Sequence, residues 1–141
     1  MRVLIVADSG GVLLDMLALR PWWSRHETSW VAAPAADTLV ALDGLDVSWR
    51  PGWPGAWRVL RRVRPDVIVS AGHRIAVPYF VLARLHRVPA LWVETVTQVG
   101  RPVGSARLCE WLARAVVAQR PGRSGALRRR GRPVVELGEL L

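Results

Sequence analysis

Small and polar residues follow three apolar segments of this chain, and their types are suited to binding an anion. The first apolar segment, VLIVA, is followed by Asp8 and then by Ser9, Gly10 and Gly11. Glycine lets the backbone turn sharply and approach a ligand closely, and the first N–H groups of a following helix face an anion. The second segment ends in the run SAGH, and the third ends in Glu-Thr. The pattern predicts a phosphate-binding site with seven members: Ser9, Gly10, Gly11, Gly72, His73, Glu94 and Thr95.

Two of these residues are candidates for catalysis. His73 has the chemistry to donate to a phosphate or to act as a general base, although a lone histidine on a turn usually does neither. Glu94 would either accept a hydrogen bond from a sugar hydroxyl or cap the loop that follows it. The Ser9–Gly11 run also has a simpler interpretation, in which Ser9 is only the N-cap of a helix. For Asp15, a favourable interaction with the helix dipole is a sufficient explanation.

Several well-known site classes are excluded by the sequence. The first turn is not the dinucleotide fingerprint, because position 8 is Asp and no third glycine follows Gly11 at the required offset. The chain has no lysine and therefore no Walker lysine. Its single cysteine, Cys109, excludes a disulfide framework and a multi-cysteine zinc site. We expect neither a cofactor nor a metal ion.

Alternating apolar strands and helices must position these residues. Strands are predicted at 3–7, 29–33, 46–50, 66–70, 90–93, 115–118 and 134–137. Helices are predicted at 12–19, 36–42, 56–64, 73–85 and 125–130, and a further helix runs from its N-cap Ser105 to residue 113. This alternation is typical of an α/β protein, and it predicts one domain, residues 1–141, with a Rossmann-like doubly wound parallel sheet. Because such sheets bind ligands at the carboxyl ends of their strands, the three polar turns should lie at one edge.

Arginine and tryptophan suggest a second surface. The chain has a net charge of +9 and eight tryptophans. Tryptophan prefers membrane interfaces, and arginine is attracted to anionic lipid. The segment with Trp53, Trp57, Arg58, Arg61 and Arg62 is therefore predicted to contact an anionic membrane peripherally. The alternative is that the tryptophans are core and loop residues.

No segment of the sequence is predicted to cross a membrane. The longest apolar stretch, residues 75–85, contains Pro78 and Arg84 and is too short to span a bilayer. Met1 and Arg2 lead directly into the first strand without a signal-peptide pattern. We therefore expect the protein on the cytoplasmic side.

Three stretches resemble one family of glycosyltransferase subunits. They are SGGVLLDML at 9–17, DVIVSAGHRIAVPYFVLARL at 66–85 and LWVETVTQVGRPVGSARLCEWLARAVVAQRPG at 91–122. The family comprises the bacterial polysaccharide-biosynthesis subunit PssD and the eukaryotic accessory subunit of dolichol-linked N-acetylglucosamine transferase. The family pattern has histidine after Ser-Gly-Gly, glutamate three residues later, and arginine in a later Arg-Val pair. Here these positions hold Val12, Asp15 and Gln98.

The resemblance implies the N-terminal, acceptor-binding half of a GT-B glycosyltransferase of the MurG type. A partner protein would carry the nucleotide sugar, and this chain would bind a lipid-linked pyrophosphate acceptor at the inner face of the plasma membrane. Leu140 and Leu141 would offer apolar surface to that catalytic partner. The resemblance also implies that, with valine at position 12, either His73 performs the function of the family histidine or the chain has lost activity.

Two other functions fit parts of the sequence. A stand-alone nucleotide-binding Rossmann enzyme would explain the first turn, but the third glycine is missing. A nucleic-acid-binding module would explain the charge of +9, but the arginines are spread along the chain and no reader motif is present. Nucleic acid is therefore the least expected partner.

Overall fold

A seven-stranded parallel sheet organises the chain, in the order β3-β2-β1-β4-β5-β6-β7. The computed structural model describes residues 1–49, 52–94, 104–118 and 133–136. The strands are β1 (Arg2–Ala7), β2 (Glu27–Ala32), β3 (Val47–Trp49), β4 (Val67–Ser70), β5 (Ala90–Val93), β6 (Ala115–Ala118) and β7 (Val134–Glu136). All pairings are parallel. The predicted fold class, a Rossmann-like doubly wound sheet, is confirmed.

Helices cover the two faces of this sheet. They are α1 (Gly11–Ala18), α2 (Arg20–Trp23), α3 (Ala36–Ala41), α4 (Trp53–Val63), α5 (His73–Leu85) and α6 (Ser105–Leu112). Successive strand residues point to opposite faces, so each strand contributes to two cores. In β1, Leu4 and Val6 pack with α4, α5 and α6, whereas Val3 and Ile5 pack with α1 and α2.

The helix starts differ from the predictions in informative ways. Helix α4 begins at Trp53 rather than at residue 56, because Pro54 in its first turn is compatible with a helix start. Helix α6 is capped by Gly104, with Ser105 as its first residue, whereas Ser105 was predicted as the cap. The short helix α2 was not predicted as a separate element. It buries Trp23, whose indole N–H donates to the Met16 carbonyl at 2.8 Å.

Strand register aligns the ends of three strands. Val6 pairs with Ser70, and Ser70 pairs with Trp92, so β1, β4 and β5 end within one residue of each other. The chain order reverses between β1 and β4, which is the point where a doubly wound sheet opens a crevice. Within the described ranges, no helix combines the length and apolar character that spanning a membrane requires.

Candidate functional site at the carboxyl edge

The turns after β1 and β4 are in direct contact. A Cβ built on Gly72 would lie 2.6 Å from Cγ2 of Val12, which is closer than real Cβ atoms come to their neighbours. Val12 is the second residue of α1 and is buried, and Gly72 is the N-cap of α5. The absence of a side chain at position 72 therefore allows the first turns of α1 and α5 to meet at the crevice.

Gly10, not Ser9, caps helix α1. Gly10 has φ 78° and ψ −136°, a backbone conformation that residues with a Cβ rarely adopt. As a glycine, Gly10 has no side chain with which to cap the start of α1. The interpretation of Ser9 as the N-cap is wrong, because Gly10 takes the cap position and its carbonyl accepts the first helical bond, from the Leu14 N–H at 3.2 Å. Gly11 and Val12, the first two helical residues, have N–H groups with no acceptor inside the helix.

Two N–H groups in the turn between β1 and α1 already donate hydrogen bonds to carboxylates of the chain. The Gly10 N–H donates to Oδ2 of Asp37 at 2.8 Å, and the Ser9 N–H donates to Oδ1 of Asp8 at the same distance. Asp37 lies in the first turn of α3, after the strand that neighbours β1. The Gly10 N–H, one of the predicted phosphate donors, is therefore paired with a carboxylate of the chain itself.

Sequence reasoning missed Asp37. One usable signal was present: an acidic residue in the first turn of the helix after the second strand, next to the glycine turn in a parallel sheet. Because Asp37 is 27 residues from Gly10 along the chain, only the strand order shows that the two residues meet.

The turn after β4 is shaped by Ser70. Its side chain is fully buried, and its hydroxyl oxygen accepts a hydrogen bond from the Gly72 N–H at 3.2 Å. This bond is formed within the turn itself, so it fixes the backbone at the point where Gly72 meets helix α1. His73 follows as the first residue of α5, which places its backbone at the same edge.

Two further acidic residues near the edge, Asp15 and Glu94, are buried or partly buried. Asp15 in α1 is only 6% exposed, so it belongs to the interior beside the turn and not to an open helix surface. Glu94 directly follows β5 and is partly buried, and its N–H donates to the Val117 carbonyl at 3.0 Å. This backbone bond continues the sheet by one residue, so Glu94 lies at the carboxyl edge, as predicted.

The structure therefore brings together six of the seven predicted site residues at one edge: Ser9, Gly10, Gly11, Gly72, His73 and Glu94. Thr95 lies outside the described residues, and so do the predicted helix at 125–130 and the partner-docking residues Leu140 and Leu141. The arrangement offers backbone donors and carboxylate acceptors, which together suit a ligand with anionic oxygens and hydroxyl groups.

The residues predicted to contact a membrane lie on two different sides of helix α4. Trp53 and Trp57 are 53% and 39% exposed, and Arg61 lies over the Trp57 ring at 6.0 Å. His86 adds a second ring, 4.7 Å from that of Trp57, which the sequence did not suggest. Trp53, Trp57 and Arg61 are four residues apart along α4, so they lie on the same side of the helix and form one exposed stripe.

Arg62 belongs to the other side of the helix. Its guanidinium forms an ion pair with Asp46 at 3.3 Å and donates to the Ser48 hydroxyl at 3.2 Å. Both charged groups are about half exposed, so this pair contributes little to stability. Its positive charge is largely offset, whereas Arg58 is exposed and has no ion pair within the described part of the chain.

Comparison with solved structures identifies the same architecture in three sugar-related proteins. The crystal structure of Acinetobacter baumannii MurG matches with a TM-score of 0.70 and 19% identity, over 85% of this chain and 42% of MurG. A UDP-N-acetylglucosamine 2-epimerase from Rickettsia bellii matches with a TM-score of 0.74 and 11% identity, over 100% of this chain and 46% of the epimerase. The Streptomyces sp. SF2575 glycosyltransferase SsfS6, solved with thymidine diphosphate, matches with a TM-score of 0.54 and 15% identity, over 96% and 48%.

These matches establish the fold. The chain spans less than half the length of each of the three proteins. No protein-family model and no curated protein sequence matches it. The chain therefore has the Rossmann-like fold found in GT-B glycosyltransferase structures, and its membership of the PssD-like family stays a prediction.

Proposed function

We propose that this chain is the acceptor-binding half of a two-part GT-B-type glycosyltransferase. In this role it binds a lipid-linked pyrophosphate acceptor and recruits a catalytic partner that carries the nucleotide sugar. The observation that carries the proposal is the contact between Val12 and Gly72, which brings two glycine turns together at the carboxyl edge of the sheet. The likeness of the fold to MurG and to a second glycosyltransferase supports the assignment to sugar transfer.

In this proposal the pyrophosphate binds at the start of helix α1. The N–H groups of Gly11 and Val12 are among the donors without an acceptor inside the helix, and the positive end of the helix dipole adds to their attraction. The Gly10 N–H joins them when the acceptor displaces Asp37. Glu94, on the neighbouring strand end, accepts from a sugar hydroxyl of the acceptor.

The role is one of binding more than of proton transfer. Val12 stands where the family pattern has histidine, and its buried methyl groups cannot move a proton. The catalytic groups for attack on the nucleotide sugar would then come from the partner or from His73 and Glu94.

The exposed stripe of Trp53, Trp57 and Arg61 supports a peripheral position on the membrane. Each aromatic ring offers an apolar body to the headgroup region, and Arg61 and Arg58 add attraction to anionic lipid. Such an arrangement would hold the crevice near the membrane surface, where a polyprenyl-linked acceptor is found.

A stand-alone nucleotide-binding enzyme is the second candidate function. SsfS6 was solved with thymidine diphosphate, and it shares this fold. The candidate predicts that the isolated chain binds a nucleotide sugar more tightly than a prenyl diphosphate.

Isothermal titration with geranyl diphosphate and with UDP-N-acetylglucosamine separates the two functions. We expect the prenyl diphosphate to bind and Gly11→Asp to weaken its binding at least tenfold, because the added carboxylate faces the ligand's negative charge. Gly11→Asn is the matched control, since it has the same size without the charge, and it should retain most of the affinity. Preferential binding of the nucleotide sugar, or equal loss in both variants, would overturn the proposal.

A further inference from the structure

A cavity of about 410 Å³ lies at the amino edge of the sheet, away from the crevice of the candidate site. It is formed by the last turn of α5, the connection to β5 and the residue that precedes β6. Its floor is apolar and includes the buried residues Ala83 and Ala90. Arg84, Arg87 and Arg114 supply its polar groups.

Three arginines on two different elements thus share one concave surface. None of the described residues that line the cavity is acidic. Arg84, Arg87 and Arg114 form no ion pair or side-chain hydrogen bond within the described ranges, in contrast to Arg62 with its partner Asp46. Like charges gathered around a cavity repel one another, and an anion bound between them removes that repulsion.

The helix dipole accounts for only part of this arrangement. Arg84 lies in the last turn of α5, where a cation is favoured by the negative end of the helix. Arg114 follows Ala113, the C-cap of α6, and lies one residue beyond that helix end and directly before β6, so the dipole of α5 does not explain its presence.

The backbone around the cavity is well fixed. The Arg114 N–H donates to the Ala90 carbonyl at 2.8 Å, and the Val88 N–H donates to the Ala83 carbonyl at 2.9 Å. Arg87 adopts a left-handed conformation with φ 57°, which costs a residue with a Cβ about 1 kcal/mol. The backbone positions of the three arginines are therefore set by the fold, and only their side chains must adjust to a ligand.

We infer that this cavity is a binding site for a phosphate group, separate from the acceptor crevice. Guanidinium groups bind phosphate oxygens through paired N–H donors, and three of them around a pocket favour a compact dianion over an extended polymer. The volume exceeds what a phosphate alone needs, so the phosphate can carry a substituent over the apolar floor. The phosphate belongs either to a soluble phosphate ester or to a lipid headgroup. This inference does not depend on the proposed function.

Two binding measurements at 150 mM NaCl test the inference and distinguish the sources. Inorganic pyrophosphate is titrated into the ¹⁵N-labelled chain while the arginine Nε–H signals are recorded. In parallel, the chain is sedimented with phosphatidylcholine vesicles with and without 10 mol% phosphatidic acid. Both measurements are repeated with Arg84→Gln, Arg87→Asn and Arg114→Gln, because asparagine tolerates the left-handed backbone at position 87. Arg107→Gln is the control, since it removes the same charge from an exposed position on α6.

We expect each cavity variant to weaken binding at least fivefold in one or both measurements, and Arg107→Gln to stay within twofold of the unchanged chain. Loss confined to pyrophosphate identifies a soluble ligand, and loss confined to vesicles identifies a headgroup. The inference is overturned if the cavity variants bind as well as the unchanged chain, or if Arg107→Gln weakens binding equally.

Discussion

Replacing Gly72 by alanine tests the packing that closes the crevice. The added methyl group would lie 2.6 Å from Cγ2 of Val12. Val12 is β-branched and helical, so its side chain has one strongly preferred rotamer and cannot turn away easily. One of the two helix starts must therefore shift. Overpacking of this kind costs about 1 to 3 kcal/mol of unfolding free energy.

Gly72→Ala should no longer lower the free energy of unfolding when Val12 is replaced by alanine. Val12→Ala alone removes two buried carbon atoms and should cost about 1.6 kcal/mol or somewhat more. In that background the methyl group that Gly72→Ala introduces finds room. Because Gly72 has an extended backbone with φ −177°, which any residue adopts, alanine there should even stabilise the chain by about 0.5 kcal/mol through the unfolded state.

Urea unfolding followed by tryptophan fluorescence measures all four members of this double-mutant cycle. We expect Gly72→Ala to destabilise the unchanged chain and to be neutral or stabilising in the Val12→Ala background, a difference of about 1 kcal/mol or more. Equal costs of Gly72→Ala in both backgrounds would refute the contact, and with it the closure of the two turns around one site.

Three further predictions concern other contacts. Asp37→Asn should tighten prenyl diphosphate binding about fivefold in calorimetry, since it removes a negative charge beside the Gly10 N–H; unchanged affinity would show that the ligand binds elsewhere. Cys109 is fully buried, and burial raises the pKa of its thiol to about 12, so Ellman's reagent at pH 8 should react only after guanidinium is added; rapid reaction of the native chain would contradict this packing. Trp53→Ala with Trp57→Ala should reduce sedimentation with anionic vesicles at least threefold, whereas Trp111→Ala, an equally large exposed residue on α6, should not.

The fold could be predicted because its signals are local. Strands such as VLIVA and DVIVS are short apolar runs between turn residues, and they alternate with helical patterns along most of the chain. Strands that alternate with helices form a parallel sheet with helices packed on both of its faces. The residues of the candidate site could be predicted for the same reason, since parallel strands share one carboxyl edge.

Contacts between distant residues could not be predicted in this way. The bond between Asp37 and Gly10 and the contact of Val12 with Gly72 depend on which strands are neighbours, and the strand order follows from the whole fold. The glycine cap of α1 was hidden by a serine that local preference favours as a cap.

The most direct test of the proposed function locates the ligand on the chain. Amide signals of Gly10, Gly11 and Gly72 in the ¹⁵N-labelled protein report on the crevice during titration with geranyl diphosphate and, separately, with UDP-N-acetylglucosamine. We predict that the prenyl diphosphate shifts all three signals in a saturable way and that Gly11→Asp suppresses the response. If the nucleotide sugar alone shifts these signals, or the diphosphate perturbs only residues around Arg84, Arg87 and Arg114, the crevice is not the acceptor site.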